Sequence, residues 1–173
     1  MNHHFTKLIK PTHEAVTAFT KWDNDPALVY LARPNQNQAD LEKQTVVDVD
    51  ELGKRLEHQI VYLIHFDGQL VGEMSYQIDP PYLYKKETGT AWIGITIGEE
   101  SARGKGLGKL AMEYLEDEIR KAGCKRIELG VFEFNLPAQK LYQKMGYTEI
   151  GRIPNFTFWK DKMWTDIRME KYI

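Results

Sequence analysis

The sequence predicts an α/β (α+β) domain with elements in the order β-α-α-β-β-β-α-β-α-β-β. Three observations predict it. The β-branched apolar run Gln59–Phe66 meets Asp67-Gly68 and then a second alternating run, Gln69–Ile78, which is a two-residue hairpin signal. A segment with glycine at 104, 106 and 108 leads into residues whose apolar members recur at helical spacing: Leu107, Leu110, Ala111, Tyr114, Leu115, Ile119 and Ala122. After that helix a strand, a short helix and further strands follow in turn, the pattern of a layered sheet-and-helix domain.

In chain order, Phe5–Lys10 alternates weakly and reads as an edge strand ending before Pro11. Thr12 or His13 opens a helix with Ala15, Val16, Ala18, Phe19 and Trp22 as apolar positions, and Asp23-Asn24-Asp25-Pro26 stops it. Residues 27–48 show no sustained period, and a long excursion with room for a short helix is expected. Asp48–His58 reads as a helix with Asp50 as a candidate N-cap. The hairpin follows, then a loop or strand extension over Asp79–Gly89 and a strand, Thr90–Ile97. In the long helix after the glycine segment only Glu118 breaks the apolar stripe. Lys109, Glu113, Glu116, Asp117, Arg120 and Lys121 form the polar face, and Gly123 stands where a C-cap is expected. Lys125–Phe134 is a strand. Asn135–Met145 is a helix with Pro137 in its first turn and Gly146 at its end. Tyr147–Arg152 and Phe156–Tyr172 read as strands, the second bent back at Lys160-Asp161-Lys162.

The chain has 173 residues and is read as one domain. Its net charge of −2 gives no basic footprint for nucleic acid. The single cysteine, Cys124, has no partner for an internal disulfide and is expected to be a buried structural thiol. No apolar leader region and no stretch of membrane-spanning length is seen, so a cytoplasmic protein without membrane partners is expected. His3-His4 is too short to form a metal site, and no metal is expected.

The chemistry begins at the front of the long helix. Its leading N–H groups lack carbonyl partners, the macrodipole adds positive potential, and glycines let an anion approach the backbone. Arg103 and Lys105 add charge. The stretch is therefore a candidate phosphate cradle, with an ordinary loop entering a surface helix as the competing reading. It is not a Walker A loop, because Leu110 stands where the metal-binding hydroxyl belongs and Arg103 where the first glycine belongs. Nor is it a dinucleotide fingerprint, because the third glycine falls one position early.

It does resemble the [QR]-x-x-G-x-[GA] loop of the GNAT family of N-acetyltransferases, with Arg103, Gly106 and Gly108 matching. Asn135–Tyr147, NLPAQKLYQKMGY, resembles the family's second signature, N-x-x-A-x-x-L-Y-x-K-x-G-[FY], and is the more specific of the two. Asn135, Ala138, Leu141, Tyr142, Lys144, Gly146 and Tyr147 all match. The resemblance covers Gly68–Ile173 well and the earlier part by element order. The flanking wording is similar to the branch with ribosomal-protein alanine and spermidine acetyltransferases.

The resemblance implies a mixed, mostly antiparallel sheet of about six or seven strands flanked by helices, split near Ile95–Ile97 to admit acetyl-CoA. It implies acetyl transfer from acetyl-CoA to an amine by direct attack in a ternary complex. The acceptor is open: a small amine such as a polyamine or an antibiotic, or a protein N-terminus. Arg103, Gly104, Lys105, Gly106, Leu107 and Gly108 would hold the pyrophosphate. The backbone of Ile95, Thr96 and Ile97 would pair with the pantetheine arm. Tyr142 would be the general acid for the leaving thiolate, where plain helix packing is the competing reading. Asn135 would hydrogen-bond the coenzyme, cap the helix, or both.

A base is also needed, because an amine of pKa near 10.4 is neutral in only about one molecule in 10³ at pH 7. The positions where the family often carries a glutamate are Trp92 and Gly130 here. Glu73 is the substitute, with Glu99, Glu133 and Asp79 behind it. Trp22, Tyr82, Tyr84, Trp159 and Trp164 are placed near the acceptor groove, where aromatic walls suit a cationic amine as well as ordinary packing. A non-catalytic acyl-CoA sensor and a purely structural domain are the competing functions. An exposed C-terminal strand offers a route to a homodimer.

Overall fold

Asp67 and Gly68 take φ of 48° and 82°, the pair of positive values a type I′ turn requires. They join β2 (Ile60–Phe66) to β3 (Gln69–Ile78). The computed structural model describes residues 2–173. Around this hairpin the other strands add in register: β1 (His3–Lys7), β4 (Thr90–Ile97), β5 (Arg126–Phe132), β6 (Thr148–Trp159) and β7 (Lys162–Tyr172). Among the described residues they form one seven-stranded sheet, ordered β1-β2-β3-β4-β5-β7-β6. Only β4 and β5 are parallel. The helices are α1 (His13–Asp23), α2 (Val29–Ala32), α3 (Gln38–Glu42), α4 (Val49–His58), α5 (Leu107–Lys121) and α6 (Leu136–Lys144).

The β4–α5–β5 crossover is the one parallel connection, and it shapes the site. Its register is short: Thr90, Ala91 and Trp92 lie opposite Arg126, Ile127 and Glu128. Beyond Trp92 the two strands part, while β4 stays paired with β3 as far as Ile97. α5 covers one sheet face, burying Ala111, Met112, Leu115 and Ile119 against Ile64, Met74, Ile127 and Leu129. α1 and α4 contribute Ala15, Phe19, Trp22 and Leu52 to a second cluster with Val61 and Leu63. No helix among the described residues is long and apolar enough to cross a membrane.

Several expectations shift. The first strand is His3–Lys7, and Leu8 beyond it is buried in the second cluster. Residues 27–48 hold two short helices rather than one. The N-cap of α4 is Asp48, whose Oδ1 accepts from the Glu51 N–H at 2.8 Å. Asp50 instead lies in the first turn, where its charge suits the dipole. Glu116, assigned to the polar face of α5, is 7 % exposed. It accepts from Tyr147 Oη at 3.0 Å and pairs with Lys171 at 2.8 Å. Glu118, in the apolar stripe, accepts from Tyr62 Oη at 3.1 Å.

β6 runs unbroken through Pro154, with the expected gap absorbed as a register shift between Ile153 and Thr157. Proline is tolerated there because β6 is an edge. The C-terminal strand is not an edge: β7 is paired on both sides, by β5 and β6.

Candidate active site

A cavity of about 580 Å³ occupies the place where β4 and β5 part, lined by Ile93–Thr96, Gly130–Phe132 and residues of β3, α6 and β7. Strand alternation decides which backbone groups face the opening. The Thr90 carbonyl accepts from Asp79 and the Gly98 N–H donates to Val71, so even-numbered residues of β4 turn their polar groups to β3. Ile93, Ile95 and Ile97 therefore point theirs into the gap. Thr96, expected to pair with a pantetheine arm through its backbone, is committed to the ladder instead. It lines the cavity as a cavity-wall residue.

The glycine loop lies past the C-terminal end of β4. Gly104 and Gly106 have φ of 71° and 79°, and a Cβ on either would meet nothing within 4 Å. An anion can approach these amides without meeting a side chain. The first helical bond of α5 runs from the Leu110 N–H to the Gly106 carbonyl at 3.3 Å, leaving the amides of Leu107, Gly108 and Lys109 without intrahelical acceptors. Leu107 itself is core, and Gly108 abuts Leu141 of α6. Lys105 Nζ lies 5.2 Å from the centre of the Phe66 ring. Arg103 corrects the sequence reading in part. Its Nε donates to the Ile97 carbonyl at 3.1 Å and its Nη2 to the Gly98 carbonyl at 2.9 Å. Two of its five N–H donors thus tie the loop to the end of β4, and the remaining three are not engaged by any described residue.

Tyr142 sits on α6 and lines the cavity, 9 % exposed. Its Oη has no hydrogen-bond partner among the described residues, and burial pushes its pKa up to about 12. Asn135 caps α6 by accepting from the Ala138 N–H at 3.3 Å, and it lines the same cavity. Glu73 lines it from β3. One carboxylate oxygen lies 2.8 Å from Arg55 Nη2, off the line of a good hydrogen bond. Burial raises the Glu73 pKa above the usual carboxylate range, and Arg55 opposes the rise.

The weaker base candidates are occupied elsewhere. Glu99 binds Lys21 and the Trp22 indole N–H. Glu133 accepts from the Thr165 N–H, and Asp79 from those of Gly89 and Thr90. For the aromatic residues the packing reading holds in most cases. Of the five, only Tyr82 lines the cavity, standing edge-on to Trp92. Trp22 packs on Gly98, Tyr84 on Gly151, and Trp159 and Trp164 cluster with Phe134.

A family model described as the Acetyltransferase (GNAT) family matches residues 14–147. The chain belongs to the GNAT family. It is 30 % identical over 132 residues to the spermine/spermidine N(1)-acetyltransferase of Bacillus subtilis, covering 76 % of this chain and 86 % of that one. A ribosomal-protein-alanine N-acetyltransferase from Brucella melitensis superposes with a TM-score of 0.76 at 20 % identity, over 98 % of this chain and 99 % of that one. YncA of Salmonella typhimurium, solved with its cofactor acetyl-CoA, superposes at 0.74 with 18 % identity, over 99 % and 94 %. The mixed sheet parted at β4 is thus a GNAT sheet, and the protein is a GNAT N-acetyltransferase.

Within this GNAT site two charged residues escaped the sequence reading. Asp166 and Arg168, on β7, both line the cavity, joined by a 2.8 Å bond from Arg168 Nε to Asp166 Oδ2. A Cβ on Gly130 would lie 2.7 Å from that oxygen and 3.1 Å from the Trp92 ring. The position that lacks a carboxylate is therefore filled by one from the neighbouring strand. The only advance signal was alternation in Thr165–Glu170, whose polar row reads as a solvated face.

Proposed function

We propose that this GNAT enzyme acetylates a small cationic amine, a polyamine in the first instance, with Tyr142 and Glu73 as its proton-handling groups. One observation carries the reading. A single cavity at the opened edge of β4 holds an unpartnered tyrosine hydroxyl and a half-buried carboxylate paired with Arg55. The polyamine choice is supported by the name of the Bacillus subtilis relative and by the aromatic and acidic cavity wall.

The residues fit acetyl-CoA. The unpaired amides of 107–109 and the side-chain-free approach past Gly104 and Gly106 suit a diphosphate. The inward amides of Ile95 and Ile97 suit an extended amide-bearing arm, and the carbonyl of Ile97 is held by Arg103. When bound, the coenzyme supplies the acetyl group and a thiolate leaving group. Glu73 takes the proton that the amine sheds, directly or through water, as the nitrogen loses basicity on attacking the thioester; the neutral amine that attacks is reached at a cost of about 4–5 kcal/mol at pH 7. Tyr142 Oη holds its proton across the physiological range and donates to the sulfur as charge develops there. The deciding experiment is an acetylation screen of purified protein with acetyl-CoA and an amine panel, read by mass shift. Spermidine acetylation at rates well above simple alkyl monoamines is expected. Absence of any acetylated amine overturns the reading.

A further inference from the structure

Two carboxylates face one another along a single row of the sheet. Glu73 pairs with Thr96 across β3 and β4, and Asp166 pairs with Phe132 across β7 and β5. Continuing the parallel register in which Trp92 faces Glu128 puts Thr96 level with Phe132. All four residues line the cavity, and directly paired residues of neighbouring strands share a face. Three strand spacings, widened where β4 and β5 part, put the two acidic Cα atoms at least about 14 Å apart. The gap suits a chain with charge at both ends.

Asp166 is built as a waiting acceptor. It is 2 % exposed, and its Oδ2 is taken by Arg168. Its Oδ1 receives no hydrogen bond from any described residue, although the side chain lines the cavity. That oxygen is not sealed off from solvent, so it can exchange water for an ammonium donor entering the cavity. Arg168 is itself spread over the Tyr82 carbonyl at 3.1 Å and Glu128 at 3.5 Å. The linked network sets Asp166, Glu128 and Glu170 against Arg126, Arg168 and Lys85. No excess positive charge therefore repels a cation. The Phe132 and Phe156 rings complete a wall that suits an alkyl-ammonium group.

We propose that Asp166 is a specificity-determining residue that holds the second ammonium group of a linear di- or triamine whose reacting nitrogen sits at Glu73. This rests on the amine-acetylation reading above. Gly130 is the position that makes room for it.

The test compares spermidine with butylamine at saturating acetyl-CoA, in wild type and Asp166→Asn. Wild type is expected to favour spermidine, and the variant's spermidine-to-butylamine ratio of kcat/KM is expected to fall tenfold or more, chiefly through the KM for spermidine. An unchanged ratio, or a wild type with no preference for spermidine over butylamine, overturns the assignment. Because the substitution removes the carboxylate charge 2.8 Å from Arg168 Nε, Asp166→Asn combined with Arg168→Met is run beside it, with melting temperature as the check on folding. The same fall in the ratio is expected there, and its absence in a folded double variant overturns the proposal. A wild type that acetylates neither amine overturns the proposed function itself, an outcome distinct from loss of the preference alone.

Discussion

Tyr142 combines a packing role with an idle hydroxyl, and the two are separable by one atom. Tyr142→Phe keeps the ring in the core and removes Oη, so it is expected to lower kcat by about 10²-fold with little change in the KM for acetyl-CoA. An unchanged kcat in steady-state assays returns the residue to core filling. Glu73 carries the pH dependence. Burial favours its neutral form, so its pKa lies above the ordinary value of about 4.3 for a glutamate, despite Arg55. A base works only when deprotonated, so kcat/KM is expected to rise with pH through a limb displaced above that value. Glu73→Gln is expected to abolish the limb and lower the rate. A pH profile with the same acid limb in the variant assigns it to another group. With burial holding the Tyr142 pKa up at about 12, no alkaline fall from its ionisation is expected in the physiological range.

At the level of elements, the loop into α5 depends on backbone that a side chain disfavours. Gly106 caps the helix at φ 79°, and an L-residue there costs roughly 1–2 kcal/mol. Gly68 in the β2–β3 turn has φ 82° and equally open surroundings. Gly106→Ala and Gly68→Ala are therefore expected to lose similar stability, each lowering the melting temperature by roughly 2–8 °C for a chain of this size. Only Gly106→Ala is expected to raise the KM for acetyl-CoA. Equal KM values in the two variants would remove the loop from coenzyme binding.

Across the molecule, one buried charge network fixes the 79–89 loop over the sheet and holds the cavity wall. Glu128 is fully buried between Arg126 and Arg168, and its carboxylate accepts from the Tyr84 and Lys85 N–H groups at 2.7 and 3.1 Å. Glu128→Ala takes a carboxylate partner from each of two buried arginines and strands two amides, with an expected loss of about 3–5 kcal/mol measured by denaturant unfolding. Coenzyme binding acts in the opposite direction. Free CoA at 100 times its Kd is expected to add about 2.7 kcal/mol, seen as a higher melting temperature.

The sequence by itself determined what neighbouring residues decide among themselves. The Asp67-Gly68 turn, the glycine-led α5, the Asn135 cap and the spacing of Asn135–Tyr147 each rest on residues within a few positions of one another. Their φ preferences and periods carry the signal, and the family resemblance rides on them. Tertiary structure alone decided which distant strands meet. The pairing of β5 with β7 puts Asp166 in the space beside Gly130, buries Glu128 and Arg168 in a row that alternation marks as solvated, and encloses the C-terminal strand. Glu116 follows the same rule, since only the approach of Tyr147 and Lys171 makes its burial tolerable. Side-chain alternation states which residues share a face, but not whether that face meets water. The carboxylates of this site come from strands far apart in the chain, so their meeting is a property of the sheet.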